Sequence, residues 1–481
     1  MNQLTRLCFQ RFLAFIYLVA FLVTLHQAPG LIGRDGLLPV TLYLKGASFW
    51  EAPSLFWFNA SDSLLNLAAW AGVALSFLAL TGISEIFGIF FSAAVWFFLW
   101  LIYLSFVNVG QVFYGFGWET LLLEIGFLAI FMGSADTEPP AALFWLLRWV
   151  AFRVMFGAGL IKIRGDECWR NLTCLSYHYE TQPMPNPLSW YFHHLPLAFH
   201  KACTLFTHFV ELIIPWGLLV PGGIGYTAAI FTITFQALLI FSGNLSWLNY
   251  LTILPVIACF DDVFLYRLFP IALPEPKLPS ALRRWVIHGV SGLVIFLSIP
   301  PVTNMISPTQ MMNASFEPFH LVNTYGAFGS VTRKRDEIIF EGTEESAPGF
   351  DTKWREYEFK GKPGDLHHQP PFVAPYHYRL GWLLWFAAMT DYRYYPWVLN
   401  LSAKLLQNDP VTLKLLSNNP FPDVPPQFVR AVLYHYRFTT PEEKKKTGNW
   451  WARQPVRAYL PPLSLEDPEF REILKEEKWL N

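Results

Sequence analysis

The chain has 481 residues, 53% hydrophobic and only 15% charged, with a formal net charge of −1. Soluble domains carry nearer ~25% charged residues, so the deficit points to lipid, and the even balance of signs offers no basic surface for nucleic acid. The charges are also unevenly placed: residues 1–305 hold 14 Lys+Arg and 15 Asp+Glu, whereas the shorter stretch 306–481 holds 21 of each. Two materials therefore meet near Ser307, a membrane part at 1–305 and a soluble domain at 306–481.

A helix needs ~20 apolar residues to cross a bilayer. Arg6 and Arg11 precede the first apolar run, at about 12–28. A cleaved signal peptide is one reading of it; no small-x-small cleavage site follows, so a retained first helix is preferred. Further runs lie at about 64–82, 86–107, 119–133, 141–163, 204–220, 224–242, 247–260 and 285–303. Those at 119–133 and 247–260 are short, which gives a polytopic α-helical bundle of about eight or nine transmembrane helices. With nine crossings, Arg6, Arg11, Arg267, Lys277, Arg283 and Arg284 fall on one side and Arg34, Lys45, Lys162, Arg164, Arg170 and Lys201 on the other. That tie leaves the positive-inside rule to the first helix, where Arg6 and Arg11 place the N-terminus inside. An odd number of crossings then puts 306–481 outside.

The C-terminal domain reads as mixed α/β and β-rich. Arg355, Tyr357 and Phe359 alternate as in a strand, and so does 428–438 through Val432, Tyr434 and Tyr436. Tyr378 to Met389 has the length and apolarity of a helix. Asp409 followed by Pro410 forms an N-cap and first-turn pair for a helix through Leu416. Pro and Gly mark 361–376 and 420–426 as loops.

Charges within apolar runs are costly and invite a functional reading. If 133–140 is a tight turn, depth pairs Glu124 with Arg148 and Glu119 with Arg153; ion pairs that fix helix register are preferred to catalysis. His208 and Glu211 share a helix face and could form half a metal site. No second such pair exists, so no metal and no cofactor is expected. The segment 157–194, GAGLIKIRGDECWRNLTCLSYHYETQPMPNPLSWYFHH, is the densest in polar and aromatic residues. Gly157, Ala158 and Gly159 permit close helix contact. Lys162 at the helix end reads plainly as a snorkelling lysine, and His193 and His194 as solvated.

The run GLIKIRGDECWRNLTC followed by YHYETQPMPNP resembles the signature of the lipase maturation factor family. FGWETLLLEIGF, SGNLSWLNYLT, VNTYGAFGSV, WREYEFKGKPGD and PYHYRLGWLLWFAA carry the likeness along nearly the whole chain. The resemblance implies a chaperone-like protein of the endoplasmic-reticulum membrane that helps secreted lipases fold and assemble, with its C-terminal domain in the lumen. The chain ends in Lys478-Trp479-Leu480-Asn481, not a retrieval signal. In a compact bacterial relative the site would instead be the inner membrane, with the C-terminal domain in the periplasm. Ala-Gly-x-x-Lys at 158–162 is more distantly similar to the vitamin K-dependent carboxylase superfamily, which implies an alternative: a membrane enzyme with Lys162 as its base. On the first reading the loop 164–201 presents Trp169, Tyr177, Tyr179, Trp190 and Tyr191 to a client. The plain alternative is an aromatic belt at the membrane surface. Cys168 and Cys174 bracket five residues in a loop assigned to the oxidising side, so a disulfide is expected there.

Overall fold

A computed structural model describes residues 2–271 and 275–480. Among the described residues, seven helices are long and apolar enough to cross a membrane: α1 (Gln3–Ile32), α2 (Asp62–Thr81), α3 (Ile89–Val109), α5 (Ala141–Arg164), α6 (Leu197–Leu218), α7 (Gly223–Ser242) and α9 (Ala281–Ile306). Two shorter apolar helices, α4 (Gly117–Ala129) and α8 (Leu248–Cys259), occupy the two short runs. The protein is a polytopic helical membrane protein with a C-terminal region of strands and helices.

The connections alternate between two ends of the bundle. At the N-terminal end of α1, Arg6 donates to the carbonyls of Thr137 and Ala135 at 2.6 and 3.0 Å, and Gln10 to that of Gly133 at 3.0 Å. Asp262 reaches the same end and accepts the backbone N–H groups of Gln3 and Leu4, both at 2.9 Å. A carboxylate there satisfies orphan donors and complements the positive pole of the helix. Glu85 pairs with Arg11 at this end too. At the opposite end Gln111 donates to Leu38 and Asn244 to Pro185 and Pro371. The short helices α4 and α8 therefore join the same two ends as the long ones. Their brevity is tolerable because protein surrounds them: every residue of α4 except Phe127 is buried. Backbone ends that other segments of the chain cover need not reach water. In contrast α9 turns Trp285, Ile295 and Phe296 outward.

The C-terminal region lies against the end of the bundle where α1 finishes. Its antiparallel sheet has the order β2-β1-β5-β6, from β1 (Arg335–Thr343), β2 (Arg355–Glu356), β5 (Phe428–Phe438) and β6 (Trp451–Leu463). Phe340 stands opposite Ala431. A small second pair joins β3 (Glu358–Phe359) to β4 (Leu416–Asn418). Helices α10 (Arg379–Ala388), α11 (Trp397–Leu406) and α12 (Pro468–Glu476) complete the region. The alternating segment at 355–359 is two short strands belonging to different sheets. Asp409 does cap a helix, but it ends at Leu413, and Leu416 begins β4. Proline in β6 is tolerated because that strand lies at the sheet edge.

Candidate functional site

The two carboxylates of α4 organise the junction between bundle and C-terminal region. Glu124 pairs with Arg153 of α5, and both side chains are buried. Its Oε2 also accepts the Asn323 N–H at 3.0 Å and the Tyr325 hydroxyl at 2.6 Å. Arg153 in turn donates to the Asn323 carbonyl at 2.6 Å. The segment after α9 thus runs back between α4 and α5. Glu119 pairs with Arg379, the first residue of α10, at 2.7 Å and accepts the Tyr103 hydroxyl. The Arg379 guanidinium also donates to the Phe113 carbonyl at 2.7 Å and lies 3.7 Å from the Tyr114 ring centroid. The expected pairs Glu124–Arg148 and Glu119–Arg153 are therefore corrected. The stretch 133–140 is not a tight turn, which shifts α5 along α4. Arg148 instead donates to the carbonyls of Ala258 and Cys259.

Lys162 is buried beneath the loop, and its Nζ donates to both oxygens of Glu211 at 2.7 Å. Glu211 lies in a π turn, Phe209–Ile213, that interrupts α6 just before Pro215. Proline lacks the N–H that would continue the regular pattern. His208 faces Trp169: its Nε2 lies 3.0 Å from the Trp169 carbonyl oxygen, so it does not join Glu211 in a metal pair. A lysine base must reach a substrate, whereas this buried Nζ is engaged by both oxygens of Glu211 and lies 5.4 Å from the Trp169 ring centroid. The base reading finds no support in this geometry. A cluster that could hold a metal lies elsewhere, where Glu358, Asp365 and His368 each place one ligand atom within 4.8 Å of the others.

The loop after α5 is bound tightly to the C-terminal region. Cys168 and Cys174 are joined by a disulfide. Trp169 is buried beside it and donates its indole N–H to the Phe328 carbonyl at 2.7 Å. Arg335, fully buried, donates to the carbonyls of Glu180 and Pro183 at 3.0 Å each, and also to that of Gln182. Its charge is balanced by Glu337 at 2.5 Å, which also meets Lys362 at 2.9 Å. Trp190 donates to the Thr439 carbonyl at 2.9 Å, and Tyr179 stacks on Phe192. Three of the five aromatics expected at a client surface, Trp169, Tyr179 and Trp190, are therefore internal fasteners. Tyr177 is half-buried under Arg333, and Tyr191 is 51% exposed. His193 is half-buried rather than fully solvated: burial pushes its imidazole down to about 4, and its Nε2 lies 3.6 Å from a Glu180 carboxylate oxygen. The small residues do permit close approach, Gly159 to helix α6 as expected and Gly157 to the segment that follows α9. A Cβ on Gly157 would stand 2.5 Å from the Tyr325 carbonyl oxygen, and one on Gly159 would stand 2.7 Å from the Leu212 side chain.

Asp166 ties the loop to the segment before β1. It accepts two bonds from Arg333, at 3.0 and 2.8 Å, and caps the short helix Glu167–Arg170 through the Cys168 N–H. The Arg333 guanidinium holds its carboxyl down at about 2. A depressed folded-state value stabilises the fold above the ordinary value near ~4 and loses that contribution as the pH falls from there through about 2. Asp166→Asn should therefore flatten the acid limb of thermal unfolding between those values, relative to the parent. An unchanged acid limb would show that the pair does not stabilise the fold. The group is partly solvated, so salt should reduce the difference.

Two family models cover most of the chain: the lipase maturation factor transmembrane domain matches residues 4–267, and the lipase maturation factor C-terminal domain matches 321–461. Lipase maturation factor 1 of Homo sapiens is 44% identical over 515 aligned residues, spanning 98% of this chain and 90% of that protein. The Mus musculus protein of the same name is 44% identical, with 99% and 89% covered. Lipase maturation factor 2 of Xenopus laevis is 29% identical, with 99% and 84% covered. No solved structure matches the chain. Matches to both domain models and near-full-length identity at this level establish that the chain belongs to the lipase maturation factor family.

Proposed function

We propose that the protein is a non-enzymatic maturation factor that sits in the endoplasmic-reticulum membrane and helps secreted lipases reach their active form. The observation that carries this reading is the 44% identity with human lipase maturation factor 1 along 98% of the chain. The architecture supports it: the loop after α5 and the C-terminal region are fastened into one unit, a rigid platform that loses little entropy on binding. Lipids surround the bundle, and lipases are the clients. The platform faces the lumen. Arg6 and Arg11 at the opposite end favour the cytoplasm for that end, and the Cys168–Cys174 disulfide suits an oxidising compartment. Tyr191 and the half-buried Tyr177 are the aromatics of the loop left to contact a client.

Expression in cells lacking the endogenous factor should restore secretion of active lipase, with activity in the medium as the readout. A glycosylation acceptor placed at exposed Phe350 should be modified, which requires the lumenal side. Tyr191→Ala should keep normal abundance and reduce lipase secretion. Failure of rescue at matched abundance would refute the maturation role. An unmodified acceptor would refute the sidedness, and full rescue by Tyr191→Ala would remove that residue from the client surface.

A further inference from the structure

A cavity of about 340 Å³ opens where the end of α1 meets the C-terminal region. Its polar walls come from four separate stretches of chain: His26 on α1, Lys360 and Lys414 flanking the small sheet, and Tyr376 and Tyr378 before α10. No carboxylate lines it, and among the described residues neither lysine has an acid partner. Lys360 donates one bond, to the Lys414 carbonyl at 2.5 Å, which leaves further donors on its ammonium. The Tyr376 hydroxyl lies 3.1 Å from Nδ1 of His26. Leu380 and Leu415 supply an apolar wall.

The backbone around the cavity is closely fitted. Gly361 has φ +83, and a Cβ there would approach the Tyr378 ring to 2.7 Å. A Cβ at Gly381 would stand 2.8 Å from the Lys360 carbonyl oxygen. Two glycines thus let the Lys360 turn close onto α10 and set the cavity wall.

Its location narrows the ligand. The residues of α1 that escape burial, among them Leu7, Phe12, Phe15, Val19, Leu22 and His26, recur at helical spacing and form one stripe. That stripe faces lipid, and His26 is its polar upper end. From Arg6 to His26 the helix rises roughly 30 Å at ~1.5 Å per residue, the thickness of a hydrocarbon core. The cavity therefore opens at headgroup level beside the lipid-facing side of α1.

We infer that the cavity of His26, Lys360, Lys414 and Tyr376 is a binding site for the phosphoryl group of an anionic membrane lipid. The lysines and hydroxyls meet the phosphoryl oxygens with charge-assisted hydrogen bonds. Leu415 and Leu380 receive the glyceryl and upper acyl portion, and the chains descend along the α1 stripe.

Delipidated full-length protein in an uncharged detergent tests this by native mass spectrometry with dioctanoyl phosphatidate, dioctanoyl phosphatidylcholine and inorganic phosphate as separate probes. Phosphatidate should bind about tenfold more tightly than phosphatidylcholine, and inorganic phosphate more weakly than phosphatidate. Lys360→Gln with Lys414→Gln should abolish that preference. Lys414→Gln alone replaces an exposed side chain, so it should weaken phosphatidate severalfold with an unchanged melting temperature. Equal binding of the two lipids, or undiminished phosphatidate binding by the well-folded Lys414→Gln variant, would overturn the assignment. Inorganic phosphate binding as tightly as phosphatidate would overturn its lipid part.

Discussion

Arg153→Met should cost the folded state about 3–5 kcal/mol and deplete the protein from the membrane fraction. The magnitude follows from what remains behind. Glu124 would keep its bonds from Asn323 and Tyr325, but its charge would sit buried with no cation to balance it. Against a typical total stability of ~5–15 kcal/mol, that is a large fraction. Adding Glu124→Gln should recover much of the loss, because a neutral amide leaves nothing to balance. Arg148→Met should cost less, about 1–3 kcal/mol, since its guanidinium meets carbonyls at the edge of the bundle and no carboxylate. Abundance and detergent melting temperatures of the single and double variants give the coupling energy. Strict additivity of Arg153→Met and Glu124→Gln would disprove the pairing.

Arg379→Met should release the C-terminal region from the bundle. The residue is buried together with Glu119, so losing it strands that carboxylate beside Tyr103 and removes the donor to the Phe113 carbonyl. A cost of about 3–5 kcal/mol raises the population of the undocked form roughly 10²- to 5 × 10³-fold. Limited proteolysis under conditions where opening is fast relative to cleavage should report that ratio as faster cutting in the segment after α9. Gln27→Ala is the graded comparison. It accepts the Arg379 N–H at 2.9 Å and donates to the His377 carbonyl at 2.6 Å, so it should open the junction by about 1–2 kcal/mol. Glu119→Gln should partly suppress Arg379→Met. Cleavage of Arg379→Met at the parental rate would show that this contact does not hold the domains together.

The long apolar runs were readable because a membrane helix needs only composition over ~20 residues, which is local information. The presence of α4 and α8 was readable too, but not what shields them, since that depends on neighbours distant in sequence. The acidic residues of α4 are legible in the sequence as charges that need cations. Their partners could not be found by counting from the turn, because Asn323 and Tyr325 come between α4 and α5 and Arg379 arrives from another domain. Arg379 did carry a signal: it is the single charge at the head of the apolar stretch RLGWLLWFAA. Strand β1 was missed because its sequence, RDEIIFEGT, is charged at positions that turn out to be buried and paired. The loop aromatics were legible as special, but not their direction. Whether a tryptophan fastens two segments or waits for a partner is decided by what packs on it, and Thr439, which meets Trp190, lies 249 residues further along.

The satisfaction of Glu119 and Glu124 by distant residues also sets an order in time. At ~5–20 residues per second, Arg379 emerges from the ribosome roughly 13–50 s after Glu124. Through that interval α4 exists as a short segment carrying two carboxylates whose final partners are incomplete. It is a poor candidate for release into lipid. The insertion machinery, or a holding chaperone, must shelter it until the C-terminal chain folds back. A nascent chain that stops before Arg379 consequently loses more than its last domain, because its membrane part stays unfinished. A factor proposed to assist the maturation of others therefore depends, during its own synthesis, on being held while it waits for its C-terminal half.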